Sequence, residues 1–227
     1  ASASGNGVVK IWDGKSGGLK QTIELPGELG KTSNGAAEIC ALSRDGKSLA
    51  TLAVKKSKMG QTEARTSDVL SVWDTASGKM RWQLADSNVQ SLALSPDGKT
   101  LAATTYKVTW KESSPGKWTG KHSDHRFVAW DAATGKERWG AEPERKMSSM
   151  LQFVDGLGLI AIESKRLAVL DPNSGRQLRE VKLETKGLTR GMVFSPDGKQ
   201  FAAPAFMGNA IEWGNAESGK ITARQEF

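Results

Sequence analysis

The chain has 227 residues, of which 37% are hydrophobic and 25% charged, and its formal net charge is +7. This composition is typical of a globular protein and excludes a collagen-like or intrinsically disordered chain. No apolar run approaches the roughly 20 residues of a membrane span, and the first residues show no signal peptide, so we expect a soluble chain without a membrane span.

The basic residues are spread along the chain, and their densest cluster is KKSK at 55–58. Dispersed charge favours a solvated surface over a nucleic-acid site, and no aromatic and basic RNA-binding signature is present. We therefore expect no specific nucleic-acid partner. The single cysteine, Cys40, excludes an internal disulfide framework. Its place in the alternating stretch EICALS predicts a buried and unreactive thiol.

A strand followed by a Ser/Thr-Gly turn recurs along the chain. Each copy has an alternating apolar strand, an Asp or a substitute for it, the turn, and another short strand. Asp13, Asp74, Asp131 and Asp171 are expected to cap the turns through backbone N–H groups, and Gly214 stands at their position in the last copy. The copies are VVKIWDGKSGG (8–18), VLSVWDTASGK (69–79), RFVAWDAATGK (126–136), RLAVLDPNSGR (166–176) and NAIEWGNAESGK (209–220).

A second turn precedes each of the last four copies. Pro favours the second position of a turn and Gly accepts a positive φ, so these sequences predict tight hairpins between apolar strands. Each full unit then has four antiparallel strands, and the first copy lacks the opening hairpin. The turns are SRDGK (43–47), SPDGK (95–99), VDG (154–156) and SPDGK (195–199).

Successive copies are separated by 61, 57, 40 and 43 residues, and the shorter spacings match a β-propeller blade of roughly 40–45 residues. With the Trp-Asp pairs at 12–13, 73–74 and 130–131, essentially the whole chain resembles the WD-repeat β-propeller family of bacterial type. The resemblance implies an all-β propeller of four-stranded antiparallel blades. The count of predicted strands gives four full blades and one partial blade, which we expect to form an incomplete ring, and an imperfectly closed ring of five blades is the alternative. The expected blades are 1–27 (partial), 36–86, 87–143, 146–184 and 187–227.

The chain departs from the family pattern because no Gly-His pair precedes the blades. We therefore expect apolar packing to hold neighbouring blades together. SGKMRW at 77–82 and TGKERW at 134–139 resemble the repeat of pyrroloquinoline-quinone propellers, in which a tryptophan follows the turn. We accordingly expect Trp82 and Trp139 to pack between blades.

Two insertions lengthen the early blades. The first, 55–67, is polar and is expected to be a loop. The second is expected to be an extended hairpin with its tip at Ser113–Gly116. Its aromatic residues are either partner anchors or a cross-strand pair that stabilises the hairpin. The candidate partner-binding residues are Tyr106, Trp110, Trp118, Lys55 and Lys56.

The residues that could carry chemistry are few. His122, Asp124 and His125 have metal-ligand types, but strand alternation would put His125 opposite the other two. We expect Asp124 to be the turn acid of its blade, and we expect no metal and no cofactor. No nucleophile elbow or P-loop occurs.

We therefore expect a non-enzymatic protein-interaction or scaffold module of a larger protein or complex, completed by further blades or another chain. A structural subunit of a large assembly and a propeller enzyme of quinoprotein or hydrolase type are the alternatives.

Overall fold

The computed structural model describes residues 1–4, 7–25, 39–59, 62–143, 150–163, 165–185, 191–205 and 209–227. All regular structure in these residues is β-strand, in five antiparallel sheets that form the blades of a propeller. In each four-stranded sheet, strands that are consecutive in sequence are neighbours. This confirms the expected fold of four full blades and one partial blade.

The strands fall into the blades in chain order. Blade 1 contains β1 (Ser2–Ala3), β2 (Val8–Trp12) and β3 (Leu19–Glu24). Blade 2 contains β4 (Ile39–Leu42), β5 (Ser48–Met59), β6 (Thr62–Asp74) and β7 (Met80–Ser87). Blade 3 contains β8 (Val89–Leu94), β9 (Thr100–Ser114), β10 (Lys117–Asp131) and β11 (Glu137–Ala141). Blade 4 contains β12 (Met150–Val154), β13 (Gly158–Glu163), β14 (Arg166–Leu170) and β15 (Gln177–Lys182). Blade 5 contains β16 (Val193–Phe194), β17 (Gln200–Pro204), β18 (Ala210–Asn215) and β19 (Ile221–Glu226).

The hydrophobic core lies between the blades. Because side chains alternate across a strand, each sheet has two faces, and the apolar residues of facing sheets are buried against one another. Val9 and Ile11 of blade 1 pack with Leu49 and Trp73 of blade 2. The same arrangement joins blade 2 to blade 3, blade 3 to blade 4, and blade 4 to blade 5.

In blades 1 to 4, the Asp that precedes the Ser/Thr-Gly turn caps that turn, as expected. The Asp131 carboxylate accepts hydrogen bonds from the backbone N–H groups of Ala133 and Thr134, and it forms an ion pair with Arg138 at 2.6 Å. The hydrogen bond from Arg138 is the largest cause that lowers the pKa of Asp131 to about 2. Equivalent caps are built by Asp13, Asp74 and Asp171.

In blade 5 the alignment of the sequence was wrong by one residue. Asn215, not Gly214, caps the turn, because its side chain accepts hydrogen bonds from the N–H groups of Glu217 and Ser218. Gly214 therefore occupies the position that Trp130 has in blade 3. A side chain there would collide with the ring of Phe201, which fills that space.

Trp82 and Trp139 pack between blades, as expected. The indole N–H of Trp82 donates to the carbonyl of Ala132 in blade 3 at 3.0 Å. That of Trp139 donates to the carbonyl of Pro172 in blade 4 at 2.9 Å. Their rings cover the turn glycines Gly135 and Gly175, where no Cβ could be placed. These two tryptophans join three consecutive blades.

The opening hairpins of blades 2 to 5 also form as expected. Gly46, Gly98, Gly156 and Gly198 have φ between 67° and 74°, a region that favours glycine. The turns of blades 4 and 5 touch directly, since a Cβ on Gly198 would overlap the carbonyl oxygen of Asp155.

No hydrogen-bonded strand pair joins blade 1 to blade 5 in the part of the chain that the structure describes. Blade 1 has three strands, and the innermost position of its sheet is unfilled there. The expected burial of Cys40 was wrong for this reason. Ala41 packs into the cluster between blades 2 and 3, so Cys40 faces blade 1 and is exposed. Partial desolvation nevertheless raises the pKa of its thiol.

The expected loop at 55–67 was also wrong. The backbone of β5 pairs with that of β6 from Ser48 and Asp74 out to Met59 and Thr62. Antiparallel pairing is made by backbone groups, so it does not require apolar side chains. Blade 2 thus carries a long hairpin beside that of blade 3.

Candidate functional site

The hairpin of β9 and β10 has the longest strands among the described residues. Each strand has 15 residues, against six in β13 and five in β14 of the next blade. The pairing runs without a break from Ser123–Lys107 to Trp118–Glu112, and the tip lies at Pro115–Gly116, as expected. About half of this hairpin extends beyond the strands of blade 4.

The cross-strand register gives the hairpin two chemically different faces. One face, here called the aromatic face, is largely half-buried. The opposite face, here called the lysine face, is exposed. The aromatic face contains Tyr106, Val108, Trp110, Trp118 and His122, together with Glu112 opposite Trp118. The lysine face contains Lys107, Lys111, Lys117 and Lys121 with Thr109 and Thr119.

The two tryptophans do not pair directly across the strands. Trp110 is opposite Gly120 and its ring covers that glycine, where a Cβ would lie 3.1 Å from the indole. Trp118 is opposite Glu112 instead. The expected cross-strand pair of Trp110 and Trp118 was therefore wrong as a directly opposed pair, and Trp110 packs on Gly120 instead. The role of Tyr106, Trp110 and Trp118 as partner anchors stays a prediction.

A β-bulge shapes the base of the hairpin. The register shifts between Ser123 and Arg126, and Asp124 adopts a φ of 50°. The bulge reverses the expected alternation, so the rings of His122 and His125 both contact Tyr106, at centroid distances of 4.5 and 5.8 Å. The expectation that these histidines lie on opposite sides was therefore wrong.

Asp124 is not the turn acid of its blade, because it lies in this bulge and forms an ion pair with Lys107 at 3.1 Å. The Nδ1 atom of His125 is buried without a hydrogen-bond partner. Within the described ranges, no group of three or more His, Cys, Asp or Glu side chains could hold a metal ion.

The aromatic face continues the side of blade 3 that packs on blade 4. Ala102 belongs to the cluster between blades 3 and 4, whereas Leu101 belongs to that between blades 2 and 3. Tyr106 has the same parity along β9 as Ala102, so it points to the side of blade 4. Because the hairpin of blade 4 is short, the outer aromatic residues extend beyond the cover that it provides.

The other two candidate residues, Lys55 and Lys56, are on β5 of the neighbouring long hairpin. Their side chains lie outside the described residues. Sequence reasoning missed the lysine face and the stacking of His122 on Tyr106. Alternation along each strand groups these residues within that strand. The register shift between Lys117 and Trp118 decides which faces of the two strands coincide, and the sequence of the tip did not indicate it.

No protein-family model and no curated protein sequence matches this chain. Solved structures do match. A structure of the dihydro-heme d1 dehydrogenase NirN is 15% identical with a TM-score of 0.59, covering 99% of this chain and 42% of that one. Hydrazine synthase from Kuenenia stuttgartiensis is 18% identical with a TM-score of 0.55, covering 97% and 65%. BamB from Moraxella catarrhalis is 16% identical with a TM-score of 0.45, covering 76% and 48%.

At these identities the first two likenesses show the fold, which is that of a β-propeller. The chain spans about two fifths of the length of NirN and just under two thirds of that of the hydrazine synthase chain. The described residues also include no helix of the length and apolarity needed to cross a membrane.

Proposed function

We propose that this chain is a non-enzymatic interaction module that binds a protein partner through the aromatic face of the β9–β10 hairpin. The observation that carries the proposal is the two-faced hairpin itself, which extends beyond blade 4 with Tyr106, Trp110 and Trp118 on one side. Large aromatic side chains that are fixed by packing lose little conformational entropy on binding and are enriched at interface centres.

A protein partner fits this surface better than a nucleic acid. Single-stranded nucleic acids need aromatic and cationic side chains that act together on one surface. Here the tryptophans and the lysines lie on opposite faces of the hairpin. The lysine face looks toward blade 2 and adds positive charge around the site, so we infer that the partner carries acidic residues at the rim of the contact.

The experiment compares two double variants of the same hairpin. Trp110→Ala with Trp118→Ala removes the aromatic anchors, and Lys111→Ala with Lys121→Ala is the matched control on the opposite face. Both double variants are used to capture partners from the source cells. The captured protein is then purified, and its Kd is measured with each variant at two salt concentrations.

The proposal predicts that the aromatic-face variant weakens binding by a factor of at least about 30, since truncating an anchor at an interface centre costs about 2 kcal/mol or more. The lysine-face variant should mainly slow association and reduce the salt dependence. Amide exchange of the hairpin residues checks that both variants keep the strands paired. Unchanged affinity in a correctly folded aromatic-face variant would refute the proposal.

A second role is favoured by the free sides of the outer blades. On blade 1, the side chains of Trp12 and Leu19 are 43% and 51% exposed, and Val193 on blade 5 is 57% exposed. Nothing lies within 4 Å of a Cβ built on Gly17, whereas Trp139 covers the equivalent Gly175. We infer that these sides accept a further blade or another chain, so that the module is a structural part of a larger assembly.

This second role has its own test. A fusion of one consensus blade with an outer-strand tryptophan to residue 1 should bury Trp12 and shift its fluorescence to shorter wavelength. The same fusion with alanine in place of that tryptophan is the control. An indole that stays exposed in both fusions would count against the inference.

We also infer that the blades are of the WD-repeat type, since an Asp cap directly follows Trp12, Trp73 and Trp130.

A further inference from the structure

The opening turns of blades 2 to 5 surround a cavity at the end of the channel opposite the long hairpins. The cavity has a volume of about 390 Å³, within the usual range for small-molecule sites of roughly 300–1,000 Å³. Its walls combine apolar side chains with polar groups. The residues that matter here are Leu42, Leu94, Phe153, Phe194, Arg44 and Asp155.

Two charged groups of the cavity, Asp155 and Arg44, lie in turns whose sequences differ from those of the other opening turns. In three turns the Asp accepts a hydrogen bond from the Ser two residues before it, as Asp97 does from Ser95 at 2.6 Å. In the turn of blade 4, Phe153 stands at the serine position. Within the described residues, the Asp155 carboxylate receives no hydrogen bond from its own turn.

The second departure lies in the turn of blade 2. Arg44 stands where the turns of blades 3 and 5 have Pro96 and Pro196. The guanidinium of Arg44 forms an ion pair with Asp155. This pair connects blade 2 to blade 4 across blade 3, so two separate departures from the repeat meet at one point of the cavity mouth.

The two partners of this ion pair differ in freedom. The Asp155 side chain is 31% exposed and is held on a turn that packs against the turn of blade 5, whereas that of Arg44 is 64% exposed. A guanidinium has five N–H donors in a planar fork, and a carboxylate is its best-matched bidentate acceptor. The ion pair with Asp155 holds the exposed side chain of Arg44 only weakly. The guanidinium can therefore turn toward a second carboxylate.

We propose that this cavity binds a small aromatic carboxylate. The carboxylate of the ligand replaces Asp155 as the ion-pair partner of Arg44, and the ring of the ligand lies between Phe153 and Phe194. An aromatic amine would have to displace Arg44 from Asp155, and the net charge of +7 would repel it. A carboxylate ligand is therefore favoured over an amine. This site is separate from the hairpin and does not depend on the interaction proposed above.

The test uses three probes of one shape, which are 4-phenylbutyrate, 4-phenylbutanamide and 4-phenylbutylamine, in calorimetric titrations of the intact chain. The butyrate should bind at least about tenfold more tightly than the amide, because a hydrogen bond to a charged group contributes about 1.5–3 kcal/mol. Arg44→Gln should remove this preference. Asp155→Asn should strengthen butyrate binding, because it removes the competing carboxylate.

Arg176→Gln is the control, since Arg176 is exposed in the β14–β15 turn and does not line the cavity. Arg44 is exposed and Asp155 is half-buried, so substitutions that keep their size should fold, which thermal unfolding verifies. Phe153→Ala should weaken all three probes together. The proposal is overturned if no probe binds at millimolar concentration, if the amine binds best, or if Asp155→Asn abolishes binding of the butyrate.

Discussion

Replacing the glycine of an opening turn by alanine tests how tightly the blades pack around the channel. Gly46 and Gly198 have nearly the same φ, 70° and 68°, in the same type of turn. Nothing lies within 4 Å of a Cβ built on Gly46. A Cβ on Gly198 would overlap the carbonyl oxygen of Asp155 in the neighbouring turn. The pair thus separates backbone strain from the contact between blades.

The magnitudes follow from these two surroundings. A left-handed conformation costs alanine about 1–2 kcal/mol, and the loss of unfolded-state entropy returns about 0.4–1 kcal/mol. Gly46→Ala should therefore lower the free energy of unfolding by about 1 kcal/mol. Gly198→Ala adds overpacking of about 1–3 kcal/mol, because the obstructing atom is backbone and cannot move aside cheaply. We expect a total loss of about 3 kcal/mol.

The assay is urea unfolding followed by tryptophan fluorescence. With a slope near 3 kcal/mol/M, Gly46→Ala should lower the midpoint by about 0.3 M and Gly198→Ala by about 1 M. Gly156→Ala should fall between them, since its Cβ would lie 2.9 Å from the carbonyl oxygen of Asp197. Equal midpoints for all three variants would refute the conclusion that these turns are in close contact.

Two further predictions concern packing and pH. Trp139→Ala should lower the free energy of unfolding by about 3 kcal/mol, whereas Trp12→Ala, whose indole is 43% exposed, should cost less than half as much; equal losses in a thermal melt would contradict the packing between blades. The pKa of Asp131 is lowered in the folded protein to about 2. The ionised carboxylate therefore stabilises the folded state above its unfolded pKa of about 3.9, and this stabilisation is lost as the pH falls toward the folded pKa. Arg138→Gln should reduce the loss of thermal stability between about pH 4 and pH 2, and an unchanged slope would show that the ion pair is not its cause.

The features that the sequence predicted correctly are local ones. An Asp cap such as Asp131 needs only the turn that follows it, and the opening turns need a glycine at a fixed place. Trp139 was placed between blades because residues 134–139 resemble a known propeller repeat. These features were sufficient to assign the blades and the fold.

The features that sequence reasoning missed depend on neighbouring strands. Cys40 is exposed on the side of β4 that faces blade 1, where the described residues include no innermost strand, and alternation within β4 carries no information about that. The bulge at Asp124 shifts His125 by one position, and no local pattern indicated it. Arg44 and Asp155 are each visible as a departure from the repeat, but the ring geometry alone shows that they meet.

The most direct test of the proposed function is the Kd of the captured partner for the two hairpin variants, measured side by side. The account predicts that Trp110→Ala with Trp118→Ala raises the Kd by at least about 30-fold, while Lys111→Ala with Lys121→Ala changes it by only a few-fold at physiological salt. The account is contradicted if the folded aromatic-face variant binds as tightly as the wild type, or if the lysine-face variant suffers the larger loss.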